Sequence, residues 1–138
     1  MKRYEQFSHT ADIGVRVFGR TVKELFANAA FAMFDIIADL EGITGGIVDE
    51  FDLKAATPEE LLVNWLDELL YRSCTKEIIF FDFEISELGD TRMKAKATGR
   101  SFAANRNRLK TEIKAATYSD LAIKKTAEGY SVEIVFDV

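Results

Sequence analysis

The sequence predicts an α+β fold, a largely antiparallel sheet covered by two helices. Three observations lead there. Complete helix-start signals stand at Thr21 and Thr57, and strand-like stretches surround them in the order β-β-α-β-α followed by a run of strands. Several of those last strands are joined by short, hairpin-like turns. The 138 residues match one ordinary domain, taken as 1–138. A composition of 48% hydrophobic and 30% charged residues, with one Pro and eight Gly, excludes disordered, collagen-like and linker-rich chains.

Residues 4–7 and 14–18 read as two short strands around His9-Thr10-Ala11-Asp12-Ile13-Gly14; in the second, Val15 and Val17 alternate with Arg16 and Phe18. Thr21 and Glu24 then form a capping box, each side chain able to satisfy a free backbone donor. The helix they start is predicted over 22–38, with a stripe of Val22, Leu25, Phe26, Ala29, Met33, Ile36 and Ile37. Phe31 and Phe34 fall off that stripe, so the helix is expected to be covered on more than one side. After a turn region with glycines at 42, 45 and 46, a strand is predicted over 47–55. Thr57, Pro58 and Glu60 start the second helix, whose stripe of Leu62, Trp65, Leu66 and Leu69 ends near Cys74. Strands are predicted over 78–85, 93–98, 113–118, 121–126 and 130–137, with an irregular basic segment over 100–110.

Charge is unevenly placed in a chain of net charge −5. Between Asp35 and Glu68 ten acidic residues face one basic residue, Lys54; between Arg100 and Lys114 five basic residues face one acidic residue, Glu112. An acidic total argues against a free-standing nucleic-acid binder, which needs positive charge to displace phosphate counterions. Two such poles are either solvated surface or a device that orients a partner. No run approaches the ~20 apolar residues of a membrane span. Met1-Lys2-Arg3-Tyr4-Glu5 turns acidic before any signal-type run begins, so the expected location is the cytoplasm.

Familiar catalytic motifs are absent: no phosphate-binding glycine loop, no dinucleotide fingerprint, no paired-histidine metal motif. The single cysteine, Cys74, reads as a buried structural thiol, because no second histidine stands ready to activate it. His9, Thr10 and Asp12 cluster where two apolar strands should meet. The plain reading is a turn in which Asp12 bonds nearby N–H groups. Asp137 offers a match at the other end of the sequence: if the last strand lies beside the strand near Asp12, carboxylate and main-chain oxygens converge. Such oxygens suit a hard divalent ion such as Ca2+ or Mg2+.

Four segments together resemble the archease family: His9-Thr10-Ala11-Asp12-Ile13-Gly14, Trp65-Leu66-Asp67-Glu68-Leu69-Leu70-Tyr71, Ile113-Lys114-Ala115-Ala116-Thr117-Tyr118 and Phe136-Asp137-Val138. The resemblance runs through nearly the whole chain in order. It implies an accessory protein, not itself a catalyst, that promotes GTP-dependent guanylylation and multiple turnover of an RtcB-type RNA ligase in tRNA splicing or RNA repair. RNA would be met only through the ligase. It further implies that Asp12 and Asp137 bind a divalent metal with a main-chain or terminal oxygen of Val138, His9 supporting them. Ca2+ is the first choice of ion, Mg2+ or Mn2+ the alternatives. Asn107 and Ser119 stand where the family commonly has histidine, and Arg100 where it often has glutamate. Two other classes compete with this reading. One is a chaperone-like interaction module whose acidic end is purely structural. The other is a small metal-dependent hydrolase, disfavoured because His9 is the one histidine available as a base.

Overall fold

The computed structural model describes residues 2–9, 11–103, 105–117 and 121–138, and of His9 the backbone. Its order is β1 (Tyr4–His9), β2 (Asp12–Gly19), α1 (Val22–Ile37), β3 (Ile47–Lys54), α2 (Pro58–Lys76), β4 (Ile78–Leu88), β5 (Arg92–Ser101), β6 (Ala115–Ala116), β7 (Lys124–Thr126) and β8 (Gly129–Asp137). The α+β class stands. Both helices start where the caps predict, with the Thr21 and Thr57 hydroxyls accepting from Glu24 N–H and Glu60 N–H, each at 3.1 Å.

The largely antiparallel sheet structure expected from the sequence is present, and it is divided in two. The strands form two antiparallel sheets, not one: β1-β2-β8-β6, with β7 also pairing β8, and β3-β5-β4. The reason lies in α1. Leu25, Phe26, Ala29, Ala30, Ala32, Met33 and Phe34 are all fully buried, so apolar side chains point away from the helix in nearly every direction. A single sheet covers one side of a helix; α1 packs against β2 and β4, which belong to different sheets. Phe34 meets Phe80 and Phe83 at 5.7 Å, and Phe51 meets Trp65 edge-on at 5.0 Å. Such pairs add about 0.5–1.5 kcal/mol each beyond the area they bury. The Trp65 indole N–H donates to the Phe26 carbonyl at 3.1 Å, tying α2 to α1. Phe31, off the stripe, is held under Tyr4 and Arg3 of the N-terminal segment.

The late strands are shorter than predicted. Ala115–Ala116 replaces 113–118, and Lys124–Thr126 replaces 121–126. Tyr118 and Ser119 lie outside the described residues. Around them the backbone turns to α2 for partners: Ala116 N–H donates to Asp67 Oδ1 at 3.1 Å and Ile123 N–H to Glu59 Oε2 at 3.2 Å. Helix carboxylates thus do along this edge what a further strand would do. Cys74 is exposed, not buried. The buried stripe of α2 runs through Leu62, Leu66, Leu69 and Ser73, and Cys74 falls one position beyond it. Ser73 takes the inward place, its hydroxyl donating to the Ile78 carbonyl at 2.5 Å.

Candidate functional site

The pairing of β2 with β8 brings the two ends of the described chain together. Ile13 stands opposite Phe136, Val15 opposite Ile134 and Val17 opposite Val132. Phe136, Ile134, Val132, Val15 and Val17 are all core residues, which fixes the inward face of both strands. Side chains alternate along a strand, so continuing the register by one residue sets Asp12 opposite Asp137 on the outward face. His9 holds the register position across from Asp12 on β1, and Ala115 the position across from Asp137 on β6. His9, Asp12, Asp137 and Ala115 therefore make one row across the sheet. The side chain of His9, and Thr10, lie outside the described residues.

The neighbouring rows show what is unusual here. Glu5, Arg16 and Glu133 form a row in which a cation stands between two carboxylates: Arg16 donates to Glu5 Oε1 at 2.6 Å and to Glu133 Oε1 at 2.9 Å. Hydrogen bonds from Lys2 and then Arg16 hold the Glu5 carboxyl below its usual range. The next row is apolar. Phe7 lies over Gly14, so close that a Cβ at position 14 would strike the ring, which explains a glycine in mid-strand. The last row sets carboxylate against carboxylate. Like charges directly opposite each other destabilise an antiparallel pair, an arrangement that a bound cation reverses.

Asp12 is half-buried and Asp137 exposed. The main-chain oxygen of Asp137 accepts from Lys114 N–H at 2.7 Å, which pins the strand beside it. The turn that delivers Asp12 contains Ala11 at φ +60°, a left-handed conformation more at home in glycine. Among the described residues no group of three or more His, Cys, Asp or Glu side chains gathers as a ready-made metal cage. The row offers the two carboxylates of Asp12 and Asp137, and Val138, the residue after Asp137, is 37% exposed. Carboxylate oxygens are hard donors, of the kind an oxygen-loving divalent ion takes.

Sequence reasoning missed Asp67. It stands two residues after the buried Trp65, and its carboxylate holds β6 beside Asp137 from the α2 side. Burial pushes its carboxyl up, opposed by the hydrogen bond from Ala116 N–H. The sequence offered no clear signal, because Asp67 stands beside a second acid, Glu68, in the same helix turn. In the basic segment, Arg106 pairs with Glu77 at 3.3 Å, whereas Arg108 donates to the main-chain oxygens of Asp39 and Glu41 at 3.0 and 2.8 Å. Arg108 is a brace for the turn after α1.

The chain matches the family model described as "Archease protein family (MTH1598/TM1083)" over residues 4–138. It is 41% identical to protein archease of Methanosarcina mazei, over 99% of this chain and 97% of that one. The solution structure of Methanobacterium thermoautotrophicum protein 1598 is similar with a TM-score of 0.81 and 27% identity, covering 100% of both chains. A Thermotoga maritima protein, described as an archease and possible chaperone, shares the fold with a TM-score of 0.63 at 21% identity over 97% of this chain and 96% of that one.

Proposed function

The chain belongs to the archease family, and from that membership we propose that it activates an RtcB-type RNA ligase in the cytoplasm, acting in tRNA splicing or RNA repair without catalysing a reaction itself. The observation that carries this reading is the acidic row, two carboxylates that the β2–β8 register sets side by side at the end of a sheet. Asp12 and Asp137 would hold a divalent ion, Ca2+ before Mg2+ or Mn2+, with a main-chain oxygen of Val138. A bound ion supplies neutralisation of phosphate charge and orientation of a reacting oxygen. The chain's own residues do the positioning. β2 and β8 fix the spacing of the carboxylates, Lys114 N–H and Asp67 hold the β6 side, and Gly14 leaves room for the Phe7 ring beside the row. His9 supports the segment that carries Asp12.

The test is guanylylation of the cognate ligase at limiting GTP and metal, with and without this protein. Wild type should raise the guanylylated fraction and sustain repeated turnovers. Asp12→Ala and Asp137→Ala should lose that effect, and His9→Asn should weaken it less. Full activation by both aspartate variants would remove the acidic row from the mechanism. A second reading, a general chaperone-like module, draws on the description of the Thermotoga maritima relative. It predicts suppression of aggregation of unrelated proteins, undiminished in the aspartate variants.

A further inference from the structure

A strand at the edge of a sheet presents unpaired N–H and C=O groups to any strand that reaches it, and folded proteins guard such edges. On β3, Arg72 of α2 donates to the Glu50 carbonyl at 2.7 Å and Asn64 to that of Lys54 at 3.4 Å. The pairing of β4 is irregular between Phe80 and Asp82 and between Ile85 and Glu87, and Lys23 of α1 donates to its Ser86 carbonyl at 3.1 Å. On the β6 side, Asp67 accepts from Ala116 N–H, while β7 is short and carries Lys124 and Lys125. β1 differs from all of these. Phe18 N–H donates to the Arg3 carbonyl at 2.9 Å, so Arg3 turns its backbone toward β2, and by alternation Glu5, Phe7 and His9 do the same. Tyr4, Gln6 and Ser8 therefore turn theirs to the open side. Among the described residues, no hydrogen bond from another element reaches the backbone of Gln6 or Ser8 there, and both residues are exposed. β1 packs against β2 and α1, and α1 meets it at Tyr4, through Phe31 and Asp35. Its six residues hold no lysine and no proline, two residues that close an edge.

β1 is also complementary to itself. Two copies related by a twofold axis would pair antiparallel, with the outward-turned Tyr4, Gln6 and Ser8 forming the hydrogen-bonded pairs. Few centres are then open. Centred on Glu5, the pair sets carboxylate against carboxylate; centred on Gln6, it sets Glu5 against Phe7; centred on Ser8, it overlaps only the end of the strand. Centred on Phe7, it sets Phe7 against Phe7 where side chains come closest, and Glu5 against His9, an acid against a base. Gln6 then exchanges both backbone hydrogen bonds with Ser8 of the other copy, and Ser8 with Gln6. A second copy laid along most of β3 would instead set Glu50 against Glu50 or Asp52.

We propose that β1 is an interface between two copies of this chain, each adding its β1 to the other, antiparallel and centred on Phe7, so that the two five-stranded sheets become one. The row of His9, Asp12 and Asp137 then runs on into Glu5, Arg16 and Glu133 of the second copy. Each acidic row thus gains a carboxylate and a guanidinium in line with it from across the axis. One short edge buries less than the ~1,200 Å² of a standard interface, so the dimer is weak and forms as concentration rises.

Sedimentation velocity from roughly 10 μM to roughly 1 mM should show monomer giving way to dimer. Gln6→Pro removes a donor on the open side and leaves the β1–β2 ladder its own bonds. It should fold as wild type does by circular dichroism and weaken the dimer about tenfold or more, because symmetry counts each lost bond twice. Ser8→Pro should act alike. Cross-linking reads the register without a proline: in a Cys74→Ala background, Phe7→Cys should form a disulfide between copies under mild oxidation, faster than Gln6→Cys does. A wild-type chain still monomeric at roughly 1 mM would overturn the proposal and leave the edge to a strand of another protein. So would a dimer that neither proline weakens, or cross-linking as fast at position 6 as at position 7, which would place the axis elsewhere.

Discussion

Replacing Asp137 with asparagine should change the sign of its effect according to whether calcium is present. The side chain keeps its shape and loses its charge. Without metal, the substitution removes a like-charge pair set directly across β2 and β8, an arrangement that costs on the order of 0.2–1 kcal/mol. Asp137→Asn should therefore be slightly more stable than wild type. For a domain of this length about 1 kcal/mol moves the melting temperature by roughly 4 °C, so the gain is about 1–4 °C. With metal the order reverses. Two carboxylates and a main-chain oxygen make a sparse ligand set, which belongs at the weak end of calcium affinities, with Kd around 10⁻⁴ M. At about 10 mM Ca2+, some hundredfold above Kd, binding to the folded state alone adds about 2.7 kcal/mol, or roughly 11 °C. Scanning calorimetry of both proteins, with calcium and with chelator, measures all four melting temperatures. The two curves of melting temperature against calcium should cross. A calcium shift of equal size in Asp137→Asn and wild type would refute the reasoning, because the carboxylate would then contribute nothing to the ion.

Trp65→Phe should destabilise by about 2–3 kcal/mol: about 1 for the lost hydrogen bond to the Phe26 carbonyl and the rest for unfilled space. Trp65 is the one tryptophan, so urea unfolding of the variant must be followed by circular dichroism; a change under 1 kcal/mol would mean the core closes over the gap. Asp67 has its carboxyl raised above the ordinary value of 3.8 by burial. In the window just above that value the folded state keeps a proton that the unfolded state has released, so its contribution to stability falls as pH rises through the window. Asp67→Asn, which still accepts from Ala116 N–H, should flatten the fall; urea midpoints across a pH series in which wild type instead gains on the variant would contradict the sign. Cys74→Ala should alter stability by no more than about 0.5 kcal/mol, as exposed substitutions do. A larger loss in chemical denaturation would return the thiol to the core.

The helices were legible because their signals are local. Thr21 and Thr57 carry their caps within three residues, and the start of each helix needed nothing distant. The off-stripe Phe34 announced a second covering layer, although no local pattern says that the layer is a separate sheet. Strand lengths were least legible where pairing gives way to other partners: Ala116 and Ile123 look strand-like, yet their N–H groups go to Asp67 and Glu59 of α2. Cys74 was misjudged by one position around the helix, the difference between Ser73 facing in and Cys74 facing out. Asp12 and Asp137 were readable as oxygen donors, and their resemblance to a family motif joined them. Their opposition depends on the register of β2 with β8, which no stretch of sequence short of the whole carries.

That register also sets an order of events during synthesis. Arg16 and its partner Glu133 are 117 residues apart. At about 5–20 residues per second, a ribosome takes roughly 6–23 s between delivering the first and delivering the second. Through that interval the β1–β2 hairpin waits with one edge unpaired, and Val15 and Val17 lack the strand that completes their side of the core. The acidic row is among the last features to exist. A chain stalled before β8 carries Asp12 without Asp137, so it has no acidic row. The row thereby depends on β8: until that strand pairs with β2, the two carboxylates do not stand together.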